Sequence, residues 1–99
     1  MEKKLTIKEF VEYVSKISAV RSIRGVDYVG IHVSGYVCMG KRQSTGHTFT
    51  IYLGNLYLVY IQIEPDKWDT KTLKPYLDGV QSPSLAILKE VELMRCGNK

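Results

Sequence analysis

Cysteine, histidine and long apolar runs are scarce in this sequence, and each scarcity removes a class of protein. The two cysteines, Cys38 and Cys96, lie far apart in a chain of 99 residues. They form no C-x-x-C pair and fall well short of the cysteine density of a disulfide scaffold, so both read as thiols outside any bridge. A zinc site needs three or four ligands, and His32, Cys38 and His47 are the only candidates on neighbouring strand segments. Strand alternation turns His32 away from Cys38, so no metal site is expected. A reactive Cys38 would need a base or a helix N-terminus beside it, and neither is visible. No window approaches the roughly 18 uninterrupted apolar residues of a membrane helix. The opening Met-Glu-Lys-Lys-Leu-Thr lacks the apolar core of a signal peptide. We therefore expect a cytoplasmic protein with no membrane partner.

Catalytic patterns are equally thin. Gly35-Tyr-Val-Cys-Met-Gly40-Lys41-Arg42 matches the G-x-x-x-x-G-K part of a phosphate-binding loop, but Arg42 stands where Ser or Thr must hold magnesium. Such a loop joins a strand to a helix in a parallel sheet, whereas these residues alternate as a hairpin strand does. Glu64, Asp66, Asp69 and Asp78 are expected in loops and at helix caps, the common use of such acids. The expectation is a non-enzyme with no catalytic residues and no cofactor.

What is present is the composition of a globular chain, 44% hydrophobic and 24% charged, of a length that suits one domain over residues 1–99. No fixed period repeats along it. Its first element reads as a helix: Thr6 and Glu9 form an S/T-x-x-E capping box, and Ile7, Phe10, Val11, Val14 and Ile17 recur at helical spacing. Ser18 to Gly25 breaks that pattern and reads as a connector.

The period then changes to two. Val29, Ile31 and Val33 alternate with Tyr28, Gly30 and His32, which predicts a strand. A two-residue turn at Ser34-Gly35 would set Val33 opposite Tyr36 and Ile31 opposite Cys38. The Gln43 to Gly46 break predicts a four-residue loop pairing Arg42 with His47, Gly40 with Phe49 and Cys38 with Ile51. Strands over about 27–33, 36–42 and 47–53 then form an antiparallel meander. Its core face carries Val29, Ile31, Val33, Tyr36, Cys38, Phe49, Ile51 and Leu53, and its outer face Tyr28, His32, Val37, Met39, Lys41, Thr48, Thr50 and Tyr52.

Residues 56–63 are compatible with strand or helix. The helix is preferred, because Asn55 can cap it and Leu56, Val59, Tyr60 and Ile63 share one face. A short helix near Asp69 or Thr70 should bury Leu73, Tyr76 and Leu77, with Pro75 favouring a start near Thr72. Ser82 as N-cap and Pro83 at the first helical position open a last helix that Gly97 can stop. The fold class is α+β: an N-terminal helix, a three-stranded meander, and two or three short C-terminal helices packed on one sheet face.

The net charge of +4 is uneven. Residues 21–50 hold four basic side chains against one acidic, while residues 51–99 hold six of each. Two binding readings follow. In the first, nucleic acid is the ligand: 69–95 outlines a helix-turn-helix in which Ser82, Ser84 and Lys89 face DNA and Lys71 and Lys74 touch phosphates. Arg21, Arg24, Lys41 and Arg42 then add a basic hairpin. A variant lays single strands on the sheet, with Tyr28, His32 and Tyr52 stacking bases. In the second, the outer face, through Tyr28, His32, Val37, Met39 and Tyr52, meets a protein partner or a second copy, since Tyr and Met are enriched at interfaces.

Overall fold

The computed structural model describes residues 4–97. Helix α1 (Ile7–Ser15) begins with the expected reciprocal cap: Thr6 Oγ1 accepts from the Glu9 amide at 3.2 Å, and the Glu9 carboxylate accepts from the Thr6 amide at 2.9 Å. Phe10, Val14 and Ile17 are buried, so the helical stripe read from the sequence is the one that packs.

The sheet has four antiparallel strands in sequence order, not three: β1 (Val20–Arg21), β2 (Asp27–Ser34), β3 (Val37–Arg42) and β4 (Thr48–Tyr52). The connector after α1 supplies the extra one, pairing Val20 with Tyr28 and Arg21 with Asp27. Two residues are too few to show alternation. What holds them is the turn beyond, where the Ser22 amide donates to the Val26 carbonyl at 2.9 Å and the Val26 amide to Ser22 Oγ at 3.1 Å.

The β3–β4 register agrees with the sequence reading, with Gly40 opposite Phe49 and Cys38 opposite Ile51. The β2–β3 register does not. Ser34 pairs with Val37 and Val33 with Cys38, so the turn is Gly35-Tyr36 rather than Ser34-Gly35. Gly35 at φ +61° stands at the first central position, which a two-residue turn of the II′ kind requires. This leaves Tyr36 exposed at the tip instead of on the core face.

A bulge between Val29 and His32 then interrupts the ladder, with Gly30 at φ +62°. An extra residue reverses the side-chain alternation on either side of it. Tyr28, expected on the outer face, is therefore buried at 6% exposure. Its ring meets Phe49 edge-on at 5.6 Å. Val29 turns outward in its place and pairs with Lys41.

Helix α2 (Leu53–Gln62) starts directly from β4, before the expected Asn55 cap. Leu56, Val59 and Tyr60 are buried as the helical reading requires. Two of its tyrosines clamp the backbone before α1: the Tyr57 hydroxyl donates to the Leu5 carbonyl at 2.7 Å, and the Leu5 amide donates to the Tyr60 hydroxyl at 3.3 Å. A short 3-10 turn (Pro65–Lys67) follows, and the Trp68 indole N–H donates to the Ile63 carbonyl at 2.9 Å.

Helix α3 (Thr70–Leu77) begins earlier than Pro75 suggested, because Asp69 and Thr72 cap each other. Only Tyr76 and Leu77 follow the proline, so little helix is lost to its missing N–H. Helix α4 (Gln81–Gly97) also starts ahead of the expected Ser82 cap. Gln81 Oε1 accepts from the Gly79 amide at 2.8 Å, closing the turn. Pro83 and Ser84 are consequently buried inside the first turn. One cluster, including Phe10, Cys38, Ile51, Tyr60, Leu73 and Leu88, fills the space between the sheet and the helices.

Candidate binding surface

The helices pack on the inner face of the sheet, with α1 against β2, α2 against β4 and α4 against β1. The strand registers fix the opposite face row by row. Arg21 lies beside Asp27, Val29 beside Lys41 and Thr48, His32 beside Met39 and Thr50, and Ser34 beside Val37 and Tyr52. His32, Lys41, Thr48 and Thr50 are exposed, Tyr52 is 62% exposed, and Val37 and Met39 are half-buried. Four of the five residues expected at an interface, His32, Val37, Met39 and Tyr52, thus share this face. Tyr28 does not, for the bulge carries it to the core.

A shallow depression of about 480 Å³ runs across the middle of the face, bordered by His32, Met39, Lys41, Thr48 and Thr50. Its floor includes Gly30 and Gly40, which contribute no side chains. His32 Nδ1 lies 3.0 Å from the Gly30 carbonyl. A carbonyl only accepts, so the neutral ring carries its proton on Nδ1 and keeps Nε2 as an acceptor. The rim therefore offers an imidazole, an ammonium and two hydroxyls around a thioether.

The strand residues of this face include one carboxylate, Asp27, and Arg21 neutralises it. Arg21 Nε and Nη2 donate to its two oxygens at 2.8 and 3.2 Å. That bidentate contact holds the Asp27 carboxyl below its usual range and raises the Arg21 guanidinium further. Lys41 is left as the uncompensated charge of the strand rows.

The basic residues expected to bind nucleic acid fall into separate groups. Arg21, Arg24 and Lys89 line one depression of about 220 Å³ together with Asp69 and Ser82. Arg42 lines two others, with His47 and Gln81 on one side and with Asp27 and Gln43 on the other. Lys71 and Lys74 are exposed on α3. Of the residues assigned to a reading helix, Ser84 is fully buried and Ser82 accepts a hydrogen bond from the Tyr28 hydroxyl at 2.9 Å. The first turn of α4 is packed onto the sheet, so Ser84 is not presented to a groove and the hydroxyl of Ser82 is already engaged by Tyr28.

Sequence reasoning missed Val29, Tyr36 and the Arg21–Asp27 contact. A glycine inside a strand pattern is a recognised sign of a bulge, and Gly30 carried that sign. Cys38 is wholly buried, and burial pushes its thiol up to about 11. Among the described residues, no group of three or more His, Cys, Asp or Glu is arranged to hold a metal ion. No helix among them is long and apolar enough to cross a membrane. Compared with models of protein families, with curated proteins and with solved structures, the chain matches none.

Proposed function

We propose that this is a non-enzymatic binding protein of the cytoplasm that receives a protein partner on the outer face of its sheet. The observation that carries the reading is the composition of that face. The side chains of Val37, Met39 and Tyr52 lie together on neighbouring strands, and the only strand carboxylate there is already paired with Arg21. Interface cores are depleted of charge and enriched in Tyr and Met. An apolar patch set among polar residues in this way is a mark of an interaction surface. Lys41 and His32 at the rim favour a partner with acidic groups at matching positions.

The test is retention of a partner from native extract by wild type against Met39→Lys and Tyr52→Glu, with Lys8→Ala, at an exposed position of α1, as the control. Both face variants should release what wild type and the control retain, at unchanged melting temperature. Equal retention by all four overturns the reading.

Nucleic acid is a second reading, favoured by Arg24 and Lys89 bordering the same depression as Arg21. Contacts would be to phosphates, through Arg24, Lys41, Arg42, Lys71, Lys74 and Lys89, with no help from Ser84. Anisotropy titrations of duplex and single-stranded oligonucleotides at two salt concentrations check it. Affinity should fall steeply with salt and weaken in Lys41→Ala and Arg42→Ala. Absence of binding at low salt removes it.

A further inference from the structure

No residue from 48 to 63 is charged, although this stretch contains both an edge strand and a surface helix. Strand β4 stands last in the sheet and pairs only with β3. The Arg42 amide donates to the His47 carbonyl, and the Leu53 amide to the Tyr36 carbonyl. Because hydrogen-bonded and non-bonded pairs alternate in an antiparallel ladder, Phe49 and Ile51 direct their backbone groups at β3. Thr48, Thr50 and Tyr52 direct theirs outward. Natural edge strands are blunted by charge, proline or a bulge, and Thr-Phe-Thr-Ile-Tyr has none of these.

Helix α2 repeats the omission. It packs against β4 on the inner side of the sheet, and its free side carries Gly54, Asn55, Leu58, Ile61 and Gln62. Leu58 is 39% exposed and Ile61 40%. These two lie one turn apart, with nothing ionised beside them on the helix.

We propose that these two elements form a two-fold interface with a second copy of this chain, joining the sheets through their β4 edges. With the axis at Thr50, the Thr50 amides and carbonyls of the two copies exchange hydrogen bonds. Each Tyr52 amide donates to the Thr48 carbonyl of the other copy. The α2 helices then meet beneath the joined strands through Leu58 and Ile61. Charge selects the occupant. At the axis of a two-fold interface a residue meets its own equivalent, so an ionised group in place of Thr50, Leu58 or Ile61 would repel its copy. A foreign partner would impose no such restriction and would profit from opposite charge. An edge strand and a helix with no charge from 48 to 63, on a chain of net charge +4, are suited to meeting themselves.

This dimer does not depend on what the outer face binds. Light scattering on the eluting full-length chain should give twice the monomer mass of 11.3 kDa. Ile61→Lys, a change at an exposed helix position, should raise the dissociation constant by about tenfold or more without altering the circular dichroism spectrum. Mixing Ile61→Lys with Ile61→Glu should restore a heterodimer. Thr50→Pro, which removes an outward amide, should also give monomer. A wild-type monomer at every soluble concentration overturns the proposal, as does a dimer indifferent to both Ile61→Lys and Thr50→Pro. A dimer abolished by Met39→Lys but not by Ile61→Lys moves the interface to the outer face and overturns it too.

Discussion

The Tyr28 hydroxyl donates to Ser82 Oγ at 2.9 Å, across 54 residues of sequence, and ties β2 to the first turn of α4. It exists because the bulge turns Tyr28 inward. Tyr28→Phe should lower stability by about 0.5–1.5 kcal/mol, the net worth of one hydrogen bond. Tyr28→Ala also removes the ring packed on Phe49 and should cost about 3–5 kcal/mol, as other large aromatic truncations do. Urea denaturation measures both. Equal losses in the two variants would show that the hydroxyl, not the ring, holds the joint.

Two glycines in the sheet should respond to substitution for different reasons. Gly30 has open space where a Cβ would go but sits at φ +62°, a conformation that costs most residues about 1–2 kcal/mol and β-branched ones more. Gly30→Asn should therefore be milder than Gly30→Val. Gly40 has the opposite problem: a Cβ there would lie 2.7 Å from Phe49 Cζ and 3.0 Å from Ile31 Cγ1. Gly40→Ala should cost about 1–3 kcal/mol through overpacking. Phe49→Leu in the same chain should recover part of that loss and should rescue nothing at Gly30.

Ser84 is buried, and its hydroxyl has no hydrogen-bond partner among the described residues. An unpaired buried hydroxyl is a cost, and alanine is the better helix former. Ser84→Ala should raise the unfolding free energy by about 1 kcal/mol. A lower denaturation midpoint would mean that the hydroxyl is satisfied after all.

Acid should destabilise the protein through two carboxyls, the half-buried Asp27 and the exposed Asp69. Asp27 is held below its usual range chiefly by the hydrogen bond from Arg21, and Asp69 chiefly by the Thr72 amide at the cap of α3. A carboxyl that ionises more readily in the folded chain leaves the unfolded chain binding more protons below its ordinary value of ~3.9. Stability is then fully present above that value and drains away as pH falls through the lower, folded values. Denaturation midpoints measured from neutral pH downward should trace this acid limb. Asp69→Asn, which keeps a cap acceptor but cannot titrate, should flatten it. High salt should reduce the Asp27 share, since the Arg21 contact is open to solvent.

Legibility in the sequence followed how local each determinant was. The α1 cap needs only Thr6 and Glu9, and the β3–β4 register needs only a polar loop of known length. Both were readable. The β2–β3 register depended on whether Gly35 or Ser34 opened the turn and on whether Gly30 bulged, and alternation alone favours the simpler answer. Strand β1 was invisible because it exists through its pairing with β2. Four of the five outer-face residues were found despite the register error: Val37, Met39 and Tyr52 lie on β3 and β4, and His32 lies on the turn side of the bulge in β2, where the alternation is kept. The basic residues were located by charge, which says nothing of direction. Their division into groups around Arg24 and around Arg42 is a property of the turns between strands.

The wholly buried Cys38 also gives the chain an internal clock. An alkylating reagent can reach that sulfur only while β3 is detached from its neighbours, and the thiol must then ionise from the ordinary value of an unfolded cysteine. The labelling rate at Cys38 therefore counts openings of the central strands, while Cys96, exposed near the far end of α4 and hydrogen-bonded to Glu92 at 3.5 Å, is within reach of the reagent without any such opening.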